Sequence, residues 1–395
     1  MADLYAQDGV NFELGDDFST TAANLFRDTW TACPLIEVKD FSDGYFRGPR
    51  GFRPKLFPDH WYLDSPMDGI GTKVGFHAEG LSPQQGANDL LAMCCGDIDR
   101  FGGVPVVFND LLDVSTLGEK DGLVYLGYIA ALKQLRQRAI EQKIVVFRGE
   151  TAELGPYVGS ENPDAQFKFN WAGCAVGLYD QTRMIVGRDV RPGDAVVALR
   201  QRKGFRSNGL STVRKAFRLR FGERWWEHAD AYEAIKDAAA PSTLYSRFLS
   251  TANGWYNGMY EAVIPVKQIS HLSGGGIPAK FGKDFLFKHG FSAVLPDLWE
   301  LPDIIQAVVD WGVLTTTEGL WTDRDSYNVW GCGQGVLVVL DKSYVDEFIR
   351  LARRADHNIE AKVCGKITRP GKEGPKLSLR SKFSGKWVHY VPQPK

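Results

Sequence analysis

The 395-residue chain has almost no net charge: 47 Lys and Arg stand against 48 Asp and Glu, a formal −1 at neutral pH. Binding a nucleic-acid backbone needs a concentrated positive surface, so no nucleic-acid partner is expected. No apolar run reaches the roughly 18 residues of a membrane-spanning helix, and the opening MADLYAQDGVNFELGDD has neither a basic leader nor an apolar signal core. Cytosolic (cytoplasmic) residence and no membrane partner are therefore expected. The six cysteines (Cys33, Cys94, Cys95, Cys174, Cys332, Cys364) contain no CxxC, which argues against a zinc knuckle or a disulfide lattice and for reduced, mostly buried thiols. Repeats and low-complexity tracts are also lacking. What is there is a globular composition, 44% hydrophobic and 24% charged, in a chain long enough for two cores.

Strand and helix patterns alternate along it. HWYLD (60–64) reads as a strand that delivers SPMDGIGTK (65–73). Ser82 and Pro83 read as the cap and first turn of a helix, in which Leu90, Leu91, Met93, Cys94, Ile98 and Phe101 form an apolar face. VPVVF (104–108) is a strand ending at Asn109, Asp110 and Asp113, residues 121–141 form a helix, and KIVVF (143–147) is a strand delivering Arg148, Gly149, Glu150, Thr151 and Glu153. A further strand spans 173–180, and the turn residues Pro192 and Gly193 place a boundary near 180–190, giving domains 1–182 and 183–395. In the second half Ser207, Asn208 and Gly209 precede a helix, and an apolar run at 269–272 leads to three glycines, 274–276. QGVLVVL is a strand, KSYVDEFIRLARRA a helix, and the lysine-rich last 35 residues, broken by PGKEGP, a terminal hairpin. The fold class is α+β, mixed α-β, in two domains.

Polar residues recur where apolar segments stop, which is where loops carry chemistry. DGIGTK on its own reads equally as an exposed turn. Asp68, Asp89, Asp110 and Glu150 together form an acidic set suited to Mg2+ with a nucleotide, and Lys73 could neutralise a transferring phosphoryl group. Asp89 and Asp97 lie eight residues apart on one helix, about 12 Å of rise, so both do not readily hold one ion. His271 reads either as a structural imidazole or as a proton acceptor. Gly274, Gly275 and Gly276 beside it permit close passage of a ligand or form a tight turn. No Ser, His, Asp order or activated cysteine pattern points to acyl transfer.

The motifs, in order, resemble the aminoimidazole ribonucleotide synthetase (phosphoribosylformylglycinamidine cyclo-ligase) family. They are YAQDGVNFELGDD (5–17), DGIGTK (68–73), GANDLLAMCCGDI (86–98), GGVPVVFND (102–110), GETAE (149–153), AGCAVGLYD (172–180), SNGLSTVRK (207–215), PSTLY (241–245), ISHLSGGGIP (269–278) and CGQG (332–335). The wider superfamily includes formylglycinamidine ribonucleotide synthetase, selenophosphate synthetase, thiamine-monophosphate kinase and the hydrogenase maturation dehydratase.

The resemblance implies a homodimer whose N-terminal sheets join as a dimeric barrel, with ATP and Mg2+ as cofactors and a ribonucleotide as substrate. It implies ATP-dependent ring closure of formylglycinamidine ribonucleotide through an iminophosphate. By the same analogy Asp68, Gly69, Gly71, Thr72, Lys73, Gly149, Glu150, Thr151 and Gly274–Gly276 bind nucleotide or phosphate. Asp68, Asp89, Asp110 and Glu150 would hold the metal, and Lys73, Arg206, Asn208 and His271 would carry the chemistry. The chain also departs from the family pattern. Arg206 replaces a histidine before SNG, Arg148 a glycine before GETAE, Gly96 an asparagine, and Gln334 an apolar residue, while the loop FSDGYFRGPRGFRPK (41–55) is more basic and aromatic than expected. These changes bear on substrate identity, so a divergent amide-activating or phosphotransfer enzyme, or a non-catalytic binding scaffold, stands as the alternative.

Overall fold

The computed structural model describes residues 12–40, 50–80, 83–317, 319–356 and 359–392. Residues 5–11 of the opening motif, 41–49 of the basic aromatic loop and the expected cap Ser82 lie outside the described residues. The architecture is mixed α/β with several sheets. The chain divides into two compact units, Met1–Ile98 with Val104–Thr182, and Asp99–Gly103 with Arg183–Lys395.

In the first unit β1 (Ile36–Asp40) and β2 (Arg50–Pro54) form an antiparallel pair. A five-stranded sheet holds β3 (Trp61–Asp64), β4 (Met67–Gly69), β5 (Val104–Val114), β6 (Val145–Glu153) and β7 (Phe169–Asp180). Its order is β3-β7-β5-β6, with β4 also paired to β7, and among the described residues it does not close into a barrel. Two strands run further than the sequence reading allowed: Asn109–Val114 and Arg148–Glu153 lie within β5 and β6, not after them. β5 is central, antiparallel to β7 and parallel to β6, so ladders on both sides carry its backbone through the polar residues. Those residues sit on alternate faces, Asp110 and Leu112 buried and Leu111 39% exposed.

Helix Leu123–Gln142 buries Tyr125, Tyr128, Ile129, Leu132, Leu135 and Ala139 along one stripe, and ends where Lys143 turns left-handed at φ 59°. Helix Phe12–Arg27 packs on it through Phe18, whose ring meets Tyr125 edge-on at 5.3 Å, and through the Tyr125 hydroxyl, which donates to Asp17 at 2.8 Å.

The second unit contains β8 (Ala195–Arg200), β9 (Val266–His271), β10 (Ser292–Leu295), β11 (Thr315–Thr316), β12 (Gly319–Leu320), β13 (Gln334–Leu340), β14 (Ala361–Thr368), β15 (Leu377–Arg380) and β16 (Trp387–Tyr390). β11 and β12 pair with each other, and the rest form one sheet in the order β16-β15-β10-β14-β8-β13-β9. All its pairings are antiparallel except β10 with β15. Every residue of β13 is buried. Its apolar run from Val336 to Leu340 belongs to a strand covered on both faces. Phe248 and Phe348, from the helices Ser246–Ala252 and Val345–Ala355, meet at 4.9 Å within the core that includes Val336, Val338 and Leu340. The lysine-rich terminus forms the expected hairpin, β15 with β16.

Gln334 explains one departure from the family pattern. Its side chain, 1% exposed, accepts a hydrogen bond from the Trp299 amide at 2.7 Å and donates to the Cys332 carbonyl, so it stitches two turns together. Gln334→Leu is expected to leave the Trp299 amide without that acceptor and to destabilise the protein by about 1–3 kcal/mol. Urea unfolding would show this as a lower midpoint at unchanged m-value.

Candidate functional site

Two groups of expected residues come together, one in each unit. In the first, β4 places Asp68 opposite Gly173 of β7, and its carboxylate accepts from the Gly69 amide at 2.7 Å. Burial raises the Asp68 pKa from its ordinary value against the Gly69 hydrogen bond, and the charge of Asp97 adds to the shift. The chain then turns through Gly71 and Thr72, both exposed, into Lys73, which is fully buried. Lys73 Nζ reaches one Asp89 oxygen at 2.9 Å and His77 Nε2 reaches the other at 2.9 Å, with all three side chains 0% exposed. Lys73 therefore faces a carboxylate inside the protein, and Asp89 has both oxygens engaged.

Asp110 lies beyond this cluster, at the border of a cavity of about 410 Å3. Ser19, Phe26 and Trp30 line one side, and the β6 segment Arg148-Gly149-Glu150-Thr151 lines another. The indole Nε1 of Trp171, itself 0% exposed, donates to Asp110 Oδ2 at 3.0 Å, while Oδ1 is buried without a hydrogen-bond partner. Gly149 stands opposite Asp110 in the β5–β6 register, and a Cβ there would come within 2.5 Å of Oδ1. Glycine is what leaves the carboxyl room. Burial pushes the Asp110 pKa up to about 7, against the opposing pull of the Trp171 hydrogen bond. Arg148 and Glu150 are exposed, and the Arg148 guanidinium lies 5.6 Å from the Phe147 ring centre.

The four carboxylates expected to hold Mg2+ do not assemble as one shell. Among the described residues no group of three or more His, Cys, Asp or Glu side chains is placed to hold a metal ion. Asp89 is closed by Lys73 and His77, Asp110 and Glu150 border the cavity, and Asp68 interacts with Asp97. The arrangement does not fit the expected cage, so no chemical step below is routed through a metal.

In the second unit β9 ends at His271, paired with Val336 of β13. Arg206 Nη2 donates to His271 Nε2 at 2.8 Å, both side chains being buried. Arg206 also donates to the Thr243 carbonyl at 3.3 Å and lies over the Tyr245 ring. Asn208 donates its side-chain amide to the Val329 carbonyl at 2.7 Å, and Trp330 Nε1 donates to the Gly209 carbonyl at 3.3 Å. The glycine turn docks on the same stretch: Gly276, at φ 57°, would put a Cβ 2.1 Å from the Tyr327 carbonyl oxygen, whereas Gly274 has open space around it. Asn208 and the glycine turn thus gather beside residues 327–330, and Arg206 and His271 meet each other. Asn208 is held there through one of its two amide hydrogens.

Sequence reasoning missed His77, Trp171 and Trp330. The position of His77, four residues after Lys73 in the helix Val74–Gly80, was the one local signal available. Trp171 and Trp330 find their partners across the fold and had no such signal. The six cysteines form no disulfide with one another, and Cys174 alone is not fully buried. No described helix is long and apolar enough to cross a membrane.

No family model matches the chain. It is similar to curated proteins named phosphoribosylformylglycinamidine cyclo-ligase. With that of Prochlorococcus marinus strain MIT 9312 it shares 26% identity over 92% of this chain and 95% of the relative. With that of Oceanobacillus iheyensis the figure is 27%, over 93% and 97%. The resemblance read from the motifs therefore extends over nearly the whole chain, and these relatives are named as ligase-type enzymes. Among solved structures, thiamine-monophosphate kinase from Stenotrophomonas maltophilia matches with TM-score 0.56 at 14% identity, covering 90% of this chain and 95% of that one. Hydrogenase maturation protein HypE in complex with ATP matches with TM-score 0.53 at 13% identity, covering 87% and 88%. At these identities the structures speak for the fold alone.

Proposed function

We propose that this chain closes the imidazole ring of aminoimidazole ribonucleotide from formylglycinamidine ribonucleotide, at the expense of ATP. The observation that carries this reading is the similarity to curated cyclo-ligases over more than nine-tenths of both chains. ATP transfers its γ-phosphoryl group to the formyl oxygen, which turns a poor leaving group into a phosphate ester of an imidic carbon. The neighbouring amidine nitrogen attacks that carbon, a proton leaves the nitrogen, and the C–O bond breaks to release phosphate. One substrate holds both nucleophile and electrophile, so the protein's task is positioning and shielding from water.

Within the first unit, the 410 Å3 cavity beside Gly149–Thr151 is the assigned nucleotide site. Its aromatic wall of Phe26 and Trp30 suits a base, and Arg148 brings a cation that can bond phosphate oxygens. Lys73 acts there indirectly, by fixing Asp89 and the DGIGTK turn, because its ammonium is buried against that carboxylate. The homodimer belongs to the same proposal. Met67 and Leu111, on β4 and β5, are apolar and 75% and 39% exposed, which suits a face covered by a second copy.

The test is turnover of formylglycinamidine ribonucleotide with ATP and magnesium, followed by mass spectrometry. One ADP, one phosphate and one aminoimidazole ribonucleotide per turnover would support the reading. ATP cleavage without ring closure would replace it with another acceptor.

A further inference from the structure

The contact between Arg206 and His271 decides where the imidazole carries its proton. A guanidinium has five N–H donors and no lone pair to offer. At 2.8 Å from Arg206 Nη2, His271 Nε2 must therefore be the acceptor, and the neutral ring holds its hydrogen on Nδ1. The histidine is 4% exposed and the arginine 5%. Burial, then the positive charges of Arg206, Arg100 and Lys280, hold the imidazole pKa well below its ordinary value. Among the described residues no carboxylate counts among the charges acting on the ring; Asp284 faces Lys280 at 3.9 Å, and Tyr245 lies under Arg206 with its hydroxyl donated to the Arg200 carbonyl.

The Nδ1–H is buried and has no hydrogen-bond partner among the described residues. A buried donor left without an acceptor costs about 1–3 kcal/mol, which a bound ligand oxygen would recover. The surrounding cations select an anionic one. Neutral imidazole in this role polarises an oxygen by donation, as it does in enzymes that keep histidine neutral at a carbonyl. A second histidine at position 206, the residue of the family pattern, could donate or accept and would fix neither tautomer. Arginine permits one.

We propose that Arg206 is a positioning residue that fixes His271 as the Nδ1–H tautomer, making His271 a neutral hydrogen-bond donor to an oxygen of an anionic ligand and not a proton acceptor. The role in turnover rests on the reaction proposed above; the tautomer does not.

Long-range 1H–15N correlation on the full-length, 15N-labelled protein tests it, with the His271 signals assigned by their loss in His271→Gln. The expected result is a protonated Nδ1 and an unprotonated Nε2 that do not titrate between about pH 5.5 and 8.5, where an ordinary histidine would. Arg206→Met is expected to let the ring titrate or change tautomer, and Arg206→Lys, which keeps a cationic donor, to preserve the wild-type pattern. Inorganic phosphate added to the wild type is expected to shift the Nδ1–H resonance. In turnover, His271→Gln should lower kcat about 100-fold with a much smaller change in KM, and Arg206→Met should add a pH limb absent from Arg206→Lys. A wild-type ring protonated on Nε2, or one that gains a proton in that range, would overturn the tautomer. An Nδ1–H signal unmoved by phosphate and by the full substrate set would overturn the donor role. Failure of the ring-closing reaction beside an intact Nδ1–H signature would remove the reaction and leave the tautomer standing, so the two failures are distinguishable. If Arg206→Met does not fold, the wild type and Arg206→Lys still decide the matter.

Discussion

Asp89→Ala is expected to destabilise the first unit by about 3–5 kcal/mol, the usual cost of removing one partner from a buried ion pair. Lys73, His77 and Asp89 are all inaccessible to solvent, and the carboxylate bonds both neighbours at 2.9 Å. Without it, the ammonium keeps its desolvation penalty and loses the anion that offset most of it. His77 responds in the same direction. Burial already lowers its pKa against the raising effect of Asp89, so it becomes still harder to protonate once the aspartate is gone. The paired replacement Lys73→Met with Asp89→Leu removes both charges and fills the space, and is expected to recover most of the loss. Urea unfolding in chelator-treated buffer measures both. A residue serving only to bind a metal would behave in the opposite way, its removal relieving repulsion in metal-free protein. An Asp89→Ala midpoint at or above that of the wild type would therefore contradict the buried-triad reading.

The second large effect is on pH dependence. Asp110→Asn is expected to stabilise the ligand-free protein above neutral pH and to leave it nearly unchanged near pH 4. The folded pKa of Asp110 is about 7, against an ordinary value of 3.8. Between those limits the native state holds a proton that the unfolded state has released, so stability falls as pH rises from about 4 to about 7 and then levels off. A shift of about three units corresponds to a loss on the order of 4 kcal/mol. The cause is geometric: Oδ2 has one donor, Trp171 Nε1, and Oδ1 has none to stabilise its charge. Asparagine keeps an oxygen for Trp171 and cannot ionise, so the decline should vanish. Unfolding free energies from pH 4 to 8.5, in buffer without divalent ions, would show it. An identical slope in wild type and variant would mean that Asp110 is not the buried titrating group described here.

Both effects concern partners that the sequence could not disclose. The helix expected over 121–141, the strand QGVLVVL and the glycine turn at 274–276 were legible because helix period, strand burial and turn chemistry are local. The strands carrying Asp110 and Glu150 were also found, but were ended too early. Polar residues inside a central strand imitate a strand end when one of its faces borders a cavity. Lys73 with Asp89 was missed for a different reason. An acid-rich pattern and a lysine suggest an exposed phosphate site, and nothing in DGIGTK says that the lysine turns inward. Among the described residues the four expected carboxylates are not gathered, and chain order carries no information about which oxygens are already engaged. Arg206 was legible as a replaced histidine. Its contact with His271 spans 65 residues, and only the fold brings the two side chains together.

The central claim is that ATP activates the formyl oxygen so that a ring can close over it. Formylglycinamidine ribonucleotide labelled with 18O in the formyl group, turned over with ATP, tests this directly. If the account holds, each aminoimidazole ribonucleotide formed will be matched by one ADP and one phosphate carrying a single 18O. Unlabelled phosphate, or ADP formed with no cyclised product, would contradict it.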